Sequence, residues 1–508
     1  MSTLPLVPIP NVITTVGAKL DATEFQLRVC ALEPGADEAV AVPAGAWPAI
    51  VSKYLAPSGI SIVETNAADP NGKTDELPEL LLQIDPLFDV GYEPTQNVAI
   101  RSEAYEIVID DDDNIAIVAA TPQGLTNGLA TLQQLALNGR VRELQILDKP
   151  RYPWRGLSLD IARHWYGVAA LYQIVDIVAA YKLNILHLHL TDDQGWRIEI
   201  PDYPALTAIS GKTQVNGDIA ADEVGYLTLA EYQKLQQYAG QFNVTIVPEI
   251  DLPGHIHAAL HAIPELNPDG IAPPAYYGVE VGMSQLRLAN PATKPFIETV
   301  LTTLCANTLG DWVHIGGDEV PDLPVPEYRE LVAYARDVVV AAGKRPVAWQ
   351  DAADIPGLRI QYWNHRDDSD ATRNASQRGE QLIMSPADRA YLEKHDANDP
   401  LGGDWGGGLL PISLAQARNW EPELVVDGAD PETLVGVEAA IWSETLASFD
   451  DLLTLLFPRL PALAEVAWTS IPNSGSSFAQ RLQGHRALWE YHGVPEIAHT
   501  RLNELSGS

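Results

Sequence analysis

Residues 312–320 read Trp-Val-His-Ile-Gly-Gly-Asp-Glu-Val. An apolar run ends in two glycines and then two adjacent carboxylates, Asp318 and Glu319, the pattern of a buried strand that delivers acids to the rim of a pocket. Without side chains, Gly316 and Gly317 leave room for a ligand or a neighbouring backbone, and they tolerate conformations closed to other residues. Taken alone, such a stretch is more often a strand leading into a solvated acidic turn. Its surroundings decide between the two readings.

Seven more segments of the same kind surround it. Apolar strand candidates fall at 156–161, 184–190, 244–250, 346–350, 359–363, 381–384 and 434–441, which with 312–316 makes eight, and helical patterns separate most of them. Alternation of this kind signals a parallel α/β architecture, and eight repeats predict a (β/α)8 TIM-type barrel with its active site at the C-terminal ends of the strands. Some helices are expected to be irregular or missing. Residues 351–358 are too few for a crossover helix, while the loop over 191–228 is long enough to carry function.

Before Pro150 and Pro153 the pattern differs. A strand is expected over 25–32, a hairpin over 104–120 around an Asp-rich turn, and an amphipathic helix over 122–137 covering the sheet. The four aspartates at 110–113 lack the spacing of a calcium loop and read as a solvated turn. The chain therefore divides into a small non-catalytic α+β domain over 1–150 and a barrel with C-terminal helices over 151–508.

Composition sets outer limits. With 32 Lys plus Arg against 68 Asp plus Glu, the formal net charge of -36 repels phosphate backbones and anionic membranes, so neither nucleic acid nor membrane is expected as a partner. No run of eighteen apolar residues occurs. The N-terminus lacks the basic and continuous apolar regions of a signal peptide, pointing to a cytoplasmic protein, or to a secreted one whose signal has been removed. Cys30 and Cys305 form no metal or redox spacing and are expected as buried free thiols. No metal or organic cofactor site is apparent. The 12 Trp and 18 Tyr suit the binding of sugar rings, although large cores use them too.

The barrel hypothesis predicts polar and aromatic residues just after each strand, and they are there. Arg163 follows the first strand, Asp192 the second, Glu249, Asp251 and His255 the third, and Asp318 and Glu319 the fourth. Trp349 and Asp351 follow the fifth, Trp363 and His365 the sixth, Tyr391 and Glu393 the seventh, and Trp442 and Glu444 the eighth. Singly, each is more often a core, surface or ion-pair residue. Together, acids, one basic clamp and indoles suit a neutral polyhydroxylated ring, and so a glycosidase. The acid pair itself is unusual. Conventional glycosidases hold two carboxylates roughly 5–5.5 Å or 6.5–9.5 Å apart across the scissile bond, whereas adjacent strand residues point in opposite directions. Both can enter one site only if the backbone turns. Either a partner comes from another strand, or the substrate supplies the nucleophile.

From about residue 105 to 468 the chain resembles glycoside hydrolase family 20, the β-N-acetylhexosaminidases. The resemblance is carried by RGLSLDIARHW (155–165), LHLHLTDDQGWRIEI (186–200), PEIDLPGH (248–255), HIGGDEV (314–320), SPADRAYLE (385–393), PLGGDWGG (400–407), GVEAAIWSETL (436–446) and FPRLPALAEVAW (457–468). It implies an exo-enzyme acting on terminal N-acetylhexosamines by substrate-assisted catalysis, without a cofactor. Glu319 then matches the general acid. Asp318 matches the residue that orients the acetamido N–H, a role for an ionised carboxylate, and Tyr391 matches the donor to the acetamido oxygen. Trp349, Trp363 and Trp442 match the acetamido box, Arg163 and Glu444 the grip on outer hydroxyls, Asp192 and His255 the support of the acid, and Trp405 an aromatic wall beside the leaving group. Glu393 stands where the family commonly has Asp, which leaves its contact to the sugar open. Release of a disaccharide such as lacto-N-biose, and a catalytically silent glycan-binding barrel, are the alternatives.

Overall fold

The computed structural model describes residues 4–15, 22–30, 44–64, 77–90, 97–137, 143–220, 223–366, 369–394, 401–403, 412–470 and 475–502. Trp405 lies outside them.

The N-terminal strands form a seven-stranded sheet in the order Val12–Thr15, Leu144–Asp148, Tyr105–Ile109, Ile115–Ala119, Glu79–Ile84, Glu24–Cys30, Ser61–Glu64. The expected hairpin is present, with Ile107 opposite Ile117 in an antiparallel register. Its Asp-rich turn is closed by Asp110 Oδ1, which accepts from the backbone N–H of Asp112 and Asn114, both at 2.9 Å, as an Asx turn does. Cys305 is buried, but Cys30 is only half-buried at the end of its strand, so the expectation of two buried thiols holds for one.

Helix Pro122–Ala136 starts as its sequence demands, with Thr121 capping Gly124 N–H and Pro122 in the first turn. The expected helix is present and covers the sheet, and a helix in that position ordinarily keeps its other face in water. Instead it is buried on nearly every side, because the barrel covers what the sheet does not. Its polar residues are satisfied internally. Gln134 accepts from Val7 N–H at 2.8 Å and donates to the carbonyls of Val7 at 2.7 Å and Ala180 at 2.9 Å, tying the N-terminal segment to a barrel helix.

Eight parallel strands close the barrel: β1 Trp154–Asp160, β2 Ile185–His189, β3 Thr245–Glu249, β4 Trp312–His314, β5 Arg345–Trp349, β6 Arg359–Tyr362, β7 Leu382–Met384 and β8 Leu434–Ile441. Most crossovers contain helices, among them Val168–Ala180, Leu229–Gln241, Thr293–Asn307 and Val325–Ala341. Between β5 and β6 there is only the 3-10 turn Gln350–Ala352. After β8, helix Arg459–Trp468 carries the buried Glu465, which is clamped by Arg418 and Arg481 at 2.8 and 2.5 Å.

Barrel interiors are commonly layered with branched aliphatics. Here five of them, Ile185, Val247, Val347, Ile383 and Val435, cluster with Trp154 toward the N-terminal ends of the strands. Above this cluster the interior turns polar. Glu438 accepts from Trp154 Nε1 at 2.7 Å, His187 Nδ1 at 2.9 Å and Gln361 Nε2 at 2.9 Å. Asp160, His189, Glu249 and His314 follow as register partners across β1 to β4, placing one row of ionisable groups directly beneath the mouth of the barrel.

Candidate active site

The stretch after β4 turns as the acid pair requires. Gly316, Gly317 and Glu319 have φ of 68°, 108° and 50°, all left-handed, and Glu319 does this without the freedom of glycine. Gly316 is dictated by space as well, since a Cβ there would lie 1.7 Å from Asp251 Oδ1. The turn is pinned by Gly317, whose N–H donates to Asp251 Oδ1 at 2.9 Å and whose carbonyl accepts from Tyr328 Oη at 2.6 Å. Both carboxylates consequently face one imidazole: His255 Nε2 is 4.0 Å from Asp318 Oδ2 and 3.5 Å from Glu319 Oε2. They are not equivalent. The Glu319 side chain is 36% exposed against 12% for Asp318, so Glu319 stands toward the mouth and Asp318 toward the floor.

Behind His255 runs a chain of charged groups. Its Nδ1 donates to Asp192 Oδ1 at 3.2 Å, and Asp192 Oδ2 accepts from Arg163 Nη2 and from His189 Nε2, each at 2.8 Å. Arg163 also lies 3.7 Å from Glu444 Oε1. Together these groups border a cavity of about 490 Å³, with Trp363, Tyr391 and Trp442 on its walls. The rings of Trp363 and Tyr391 are within 10° of parallel at 6.3 Å, and Trp442 meets Tyr391 edge-on at 5.9 Å. Trp363 is held by its Nε1–H, which donates to Asp351 Oδ2 at 3.0 Å.

Of the residues expected from sequence, Arg163, Asp192, His255, Asp318, Glu319, Trp363, Tyr391, Trp442 and Glu444 meet at this cavity. Two stand behind it. Trp349 is fully buried and backs Trp442 at 5.9 Å. Glu393, also fully buried, accepts from the backbone N–H of Trp442 at 3.3 Å rather than lining the wall. Residues not singled out as binding residues do line it: His189, Asp251, Lys394 and the loop residues Val279 to Val281. His189 carried a readable signal, since it and His187 alternate with leucines along one strand. The loop carried none.

Burial, and after it the neighbouring Asp251, pushes the Asp318 carboxyl well above its ordinary range, against the pull of His255. Burial lifts Asp251 to about 7, and the two carboxyls share a hydrogen bond. In the unliganded pocket Asp318 is thus driven toward its neutral form, opposite to the ionised form that the role implied by the resemblance uses. Glu444 is raised by burial to about 8 although Arg163 opposes this. Asp192 goes the other way; burial would raise it, but Arg163 and His255 hold it well below the usual carboxylate range. Asp318 Oδ1, Glu444 Oε2 and His255 Nε2 are buried without a hydrogen-bond partner among the described residues, and polar groups of a ligand would satisfy them.

Among the described residues four groups come close enough to hold a cation: His187 with Glu249 and His314, His189 with Glu249 and Asp251, Asp192 with Asp193 and His255, and Asp251 with His255 and Asp318. In each a histidine has both ring nitrogens facing carboxylates, at 2.9 and 3.2 Å for His187, 2.5 and 2.8 Å for His189, and 3.2 and 3.5 Å for His255. An imidazolium so held has no lone pair to give a metal, so all four are ion-pair clusters.

Comparison with known proteins agrees with this geometry. The model of the glycosyl hydrolase family 20 catalytic domain matches residues 152–331 and 325–471, and that of domain 2 of the same family matches 47–149. A β-N-acetylhexosaminidase of Cellulomonas fimi is 40% identical over 419 residues, covering 80% of this chain and 83% of the relative. The N-acetyl-β-hexosaminidase of Streptomyces plicatus, solved with the ligand thio-NAglucal, superposes with a TM-score of 0.83 at 32% identity, over 97% of this chain and 96% of that one. The enzyme of Streptomyces coelicolor A3(2) gives 0.82 at 31%, over 97% of each. Family models, relatives and solved structures thus agree along nearly the whole length, and the chain belongs to glycoside hydrolase family 20.

Proposed function

We propose that the chain is a retaining exo-β-N-acetylhexosaminidase, removing terminal β-linked N-acetylglucosamine or N-acetylgalactosamine with the substrate's own 2-acetamido group as nucleophile. The observation that carries this reading is the left-handed turn at Glu319, which sets two adjacent carboxylates before one histidine, next to an aromatic enclosure. Both carboxylates face one imidazole rather than opposing each other across a cleft, so we take the nucleophile to come from elsewhere.

The acetamido oxygen attacks the anomeric carbon as the bond to the leaving oxygen breaks, giving an oxazolinium intermediate. Glu319, the more open acid, gives its proton to the leaving oxygen and then takes one from the water that opens the intermediate. Asp318 accepts the acetamido N–H. That hydrogen bond and the positive charge developing on the acetamido group both favour the ionised form, drawing Asp318 down from its raised resting state while Asp251 keeps the shared proton. Tyr391 donates to the acetamido oxygen, between Trp363 and Trp442. Arg163 and Glu444 take the outer hydroxyls, and the charge on His255 is maintained by Asp192.

Relatives named for β-N-acetylhexosaminidase activity do not favour disaccharide release, and an intact acid pair with its tyrosine speaks against a silent glycan-binding barrel. The test is hydrolysis of aryl β-N-acetylglucosaminide and β-N-acetylgalactosaminide. The wild type should release the aglycone, and Glu319→Gln should lose about 10³-fold in kcat. A wild type that binds chitobiose yet cleaves neither substrate would refute the reading.

A further inference from the structure

Glu249 touches no part of the cavity, yet the elements of the site converge on it. It is the last residue of β3 and is fully buried. Its Oε1 accepts from Trp349 Nε1 at 2.9 Å and lies 2.8 Å from His314 Nδ1. Its Oε2 accepts from His189 Nδ1 at 2.5 Å and lies 3.2 Å from His187 Nε2.

These contacts lead mainly to different halves of the reaction, and they meet again where His189 packs edge-on against Trp442 at 5.1 Å. From Oε1 the path is short: Trp349 backs Trp442, a wall of the acetamido enclosure. From Oε2 it runs through His189 to Asp192, then His255, then Glu319, at 2.8, 3.2 and 3.5 Å. Signs alternate along this second path. His189 has carboxylates at both ring nitrogens, so both carry protons and the ring is cationic; burial opposes this, but Glu249 and Asp192 raise it to about 10. His314, which also touches Glu249, sits in β4 two residues before Gly316, at the root of the acid turn.

We propose that Glu249 is a positioning residue that holds the acetamido enclosure and the general acid in fixed relation to one another. This rests on the hexosaminidase reading above. The physical reason is the symmetry of a carboxylate. Both oxygens accept, so one ionised side chain can restrain Trp349 on one side and His189 on the other. An amide of the same shape cannot, because turning its oxygen to either donor turns its NH2 toward the other. In a substrate-assisted reaction the two halves must act on one sugar at once, and a displacement of about 1 Å between them costs on the order of 10²-fold.

The two branches can be read separately with aryl β-N-acetylglucosaminides whose phenols run from dinitrophenol to phenol, and with a thiazoline mimic of the intermediate as inhibitor. Good leaving groups need little help from an acid, so damage to the acid branch grows as the phenol becomes more basic. His189→Gln should show this growth most strongly, with thiazoline inhibition weakened less than by the loss of the Trp349 N–H, since His189 also meets Trp442 edge-on at 5.1 Å. Trp349→Phe, which keeps a ring but loses the N–H, should weaken the thiazoline about tenfold with an even loss across the phenols. Glu249→Gln should show both, with about a 10²-fold loss on the phenyl substrate, and Glu249→Asp, which keeps the charge, should recover part of each. A folded Glu249→Gln enzyme with an even loss across the phenols and unchanged thiazoline inhibition would reduce Glu249 to a core residue and overturn the proposal. If that variant does not fold, His189→Gln and Trp349→Phe decide: a flat leaving-group dependence in the first, or unchanged inhibition in the second, overturns it equally. A wild type inactive on every aryl substrate would instead strike the hexosaminidase reading and the proposal with it.

Discussion

Two buried carboxylates in this molecule are treated in opposite ways. Glu465 accepts from Arg418 Nε and Nη2 at 3.1 and 2.8 Å, from Arg481 Nη1 and Nη2 at 2.5 and 2.8 Å, and from Ile9 N–H at 3.2 Å. Burial would raise it, but the two guanidinium groups hold it below its ordinary value. Asp318, also buried but at the floor of the cavity, has Asp251 and Glu319 as neighbours and one oxygen without a partner. The protein completes the shell of the first and leaves that of the second incomplete. Burial therefore does not distinguish a structural acid from a working one; the state of its shell does.

Substitution should separate the two most sharply. Asp318→Asn is expected to lower kcat by about 10²–10³-fold with no loss of thermal stability, because a neutral side chain relieves repulsion among buried acids. An Asp318→Asn enzyme with wild-type kcat would remove the residue from the reaction. Arg481→Ala should do the reverse. It strips a buried carboxylate of one of its two guanidinium partners, a loss of about 3 kcal/mol, the low end for breaking a buried pair, while the kcat of the folded enzyme stays the same; denaturant unfolding beside active-site titration reads both.

Acid and alkali provide a third separation. Glu465, depressed in the folded state, contributes stability that is present above its unfolded pKa and lost as pH falls. Glu444, raised from 4.5 to about 8, contributes stability present below 4.5 and lost as pH rises toward 8. Glu444→Gln should therefore flatten the decline in melting temperature between pH 5 and 8, and an unaltered pH profile would show that burial does not keep this carboxyl neutral. The smallest effect is expected at Glu393, whose carboxylate meets the Trp442 backbone. Glu393→Asp withdraws it by one methylene and should change the ratio of glucosaminide to galactosaminide turnover by about two- to tenfold.

The legible and illegible parts of the sequence divide along similar lines. All eight barrel strands could be read because strands buried on both faces appear as apolar runs, and the acids just beyond them could be read because the fold fixes where strands end. Helix Pro122–Ala136 was legible as a helix covering the sheet, but not its burial on the other side: periodicity reports which face is apolar, and Gln133, Gln134 and Asn127 have buried partners that no local pattern encodes. Glu249 appeared only as one more strand-end acid. That it receives Trp349 and His189 depends on the closure of the barrel, which brings β2, β3, β4 and β5 around one point. Val279 to Val281 come from a loop without periodicity, and Trp405 falls outside the described residues.

The amide of Gln134 has a further consequence. One side chain of the accessory unit is bonded to the start of the chain and to a barrel helix, while Lys182 and Trp468 of the barrel both donate to Asp148 at 3.0 Å, at the end of an accessory strand. On a diagram the two units look interchangeable, like parts that recombination could shuffle. To a calorimeter they should be a single object, melting in one endotherm, and a barrel expressed without its neighbour would present to water a surface built for a partner.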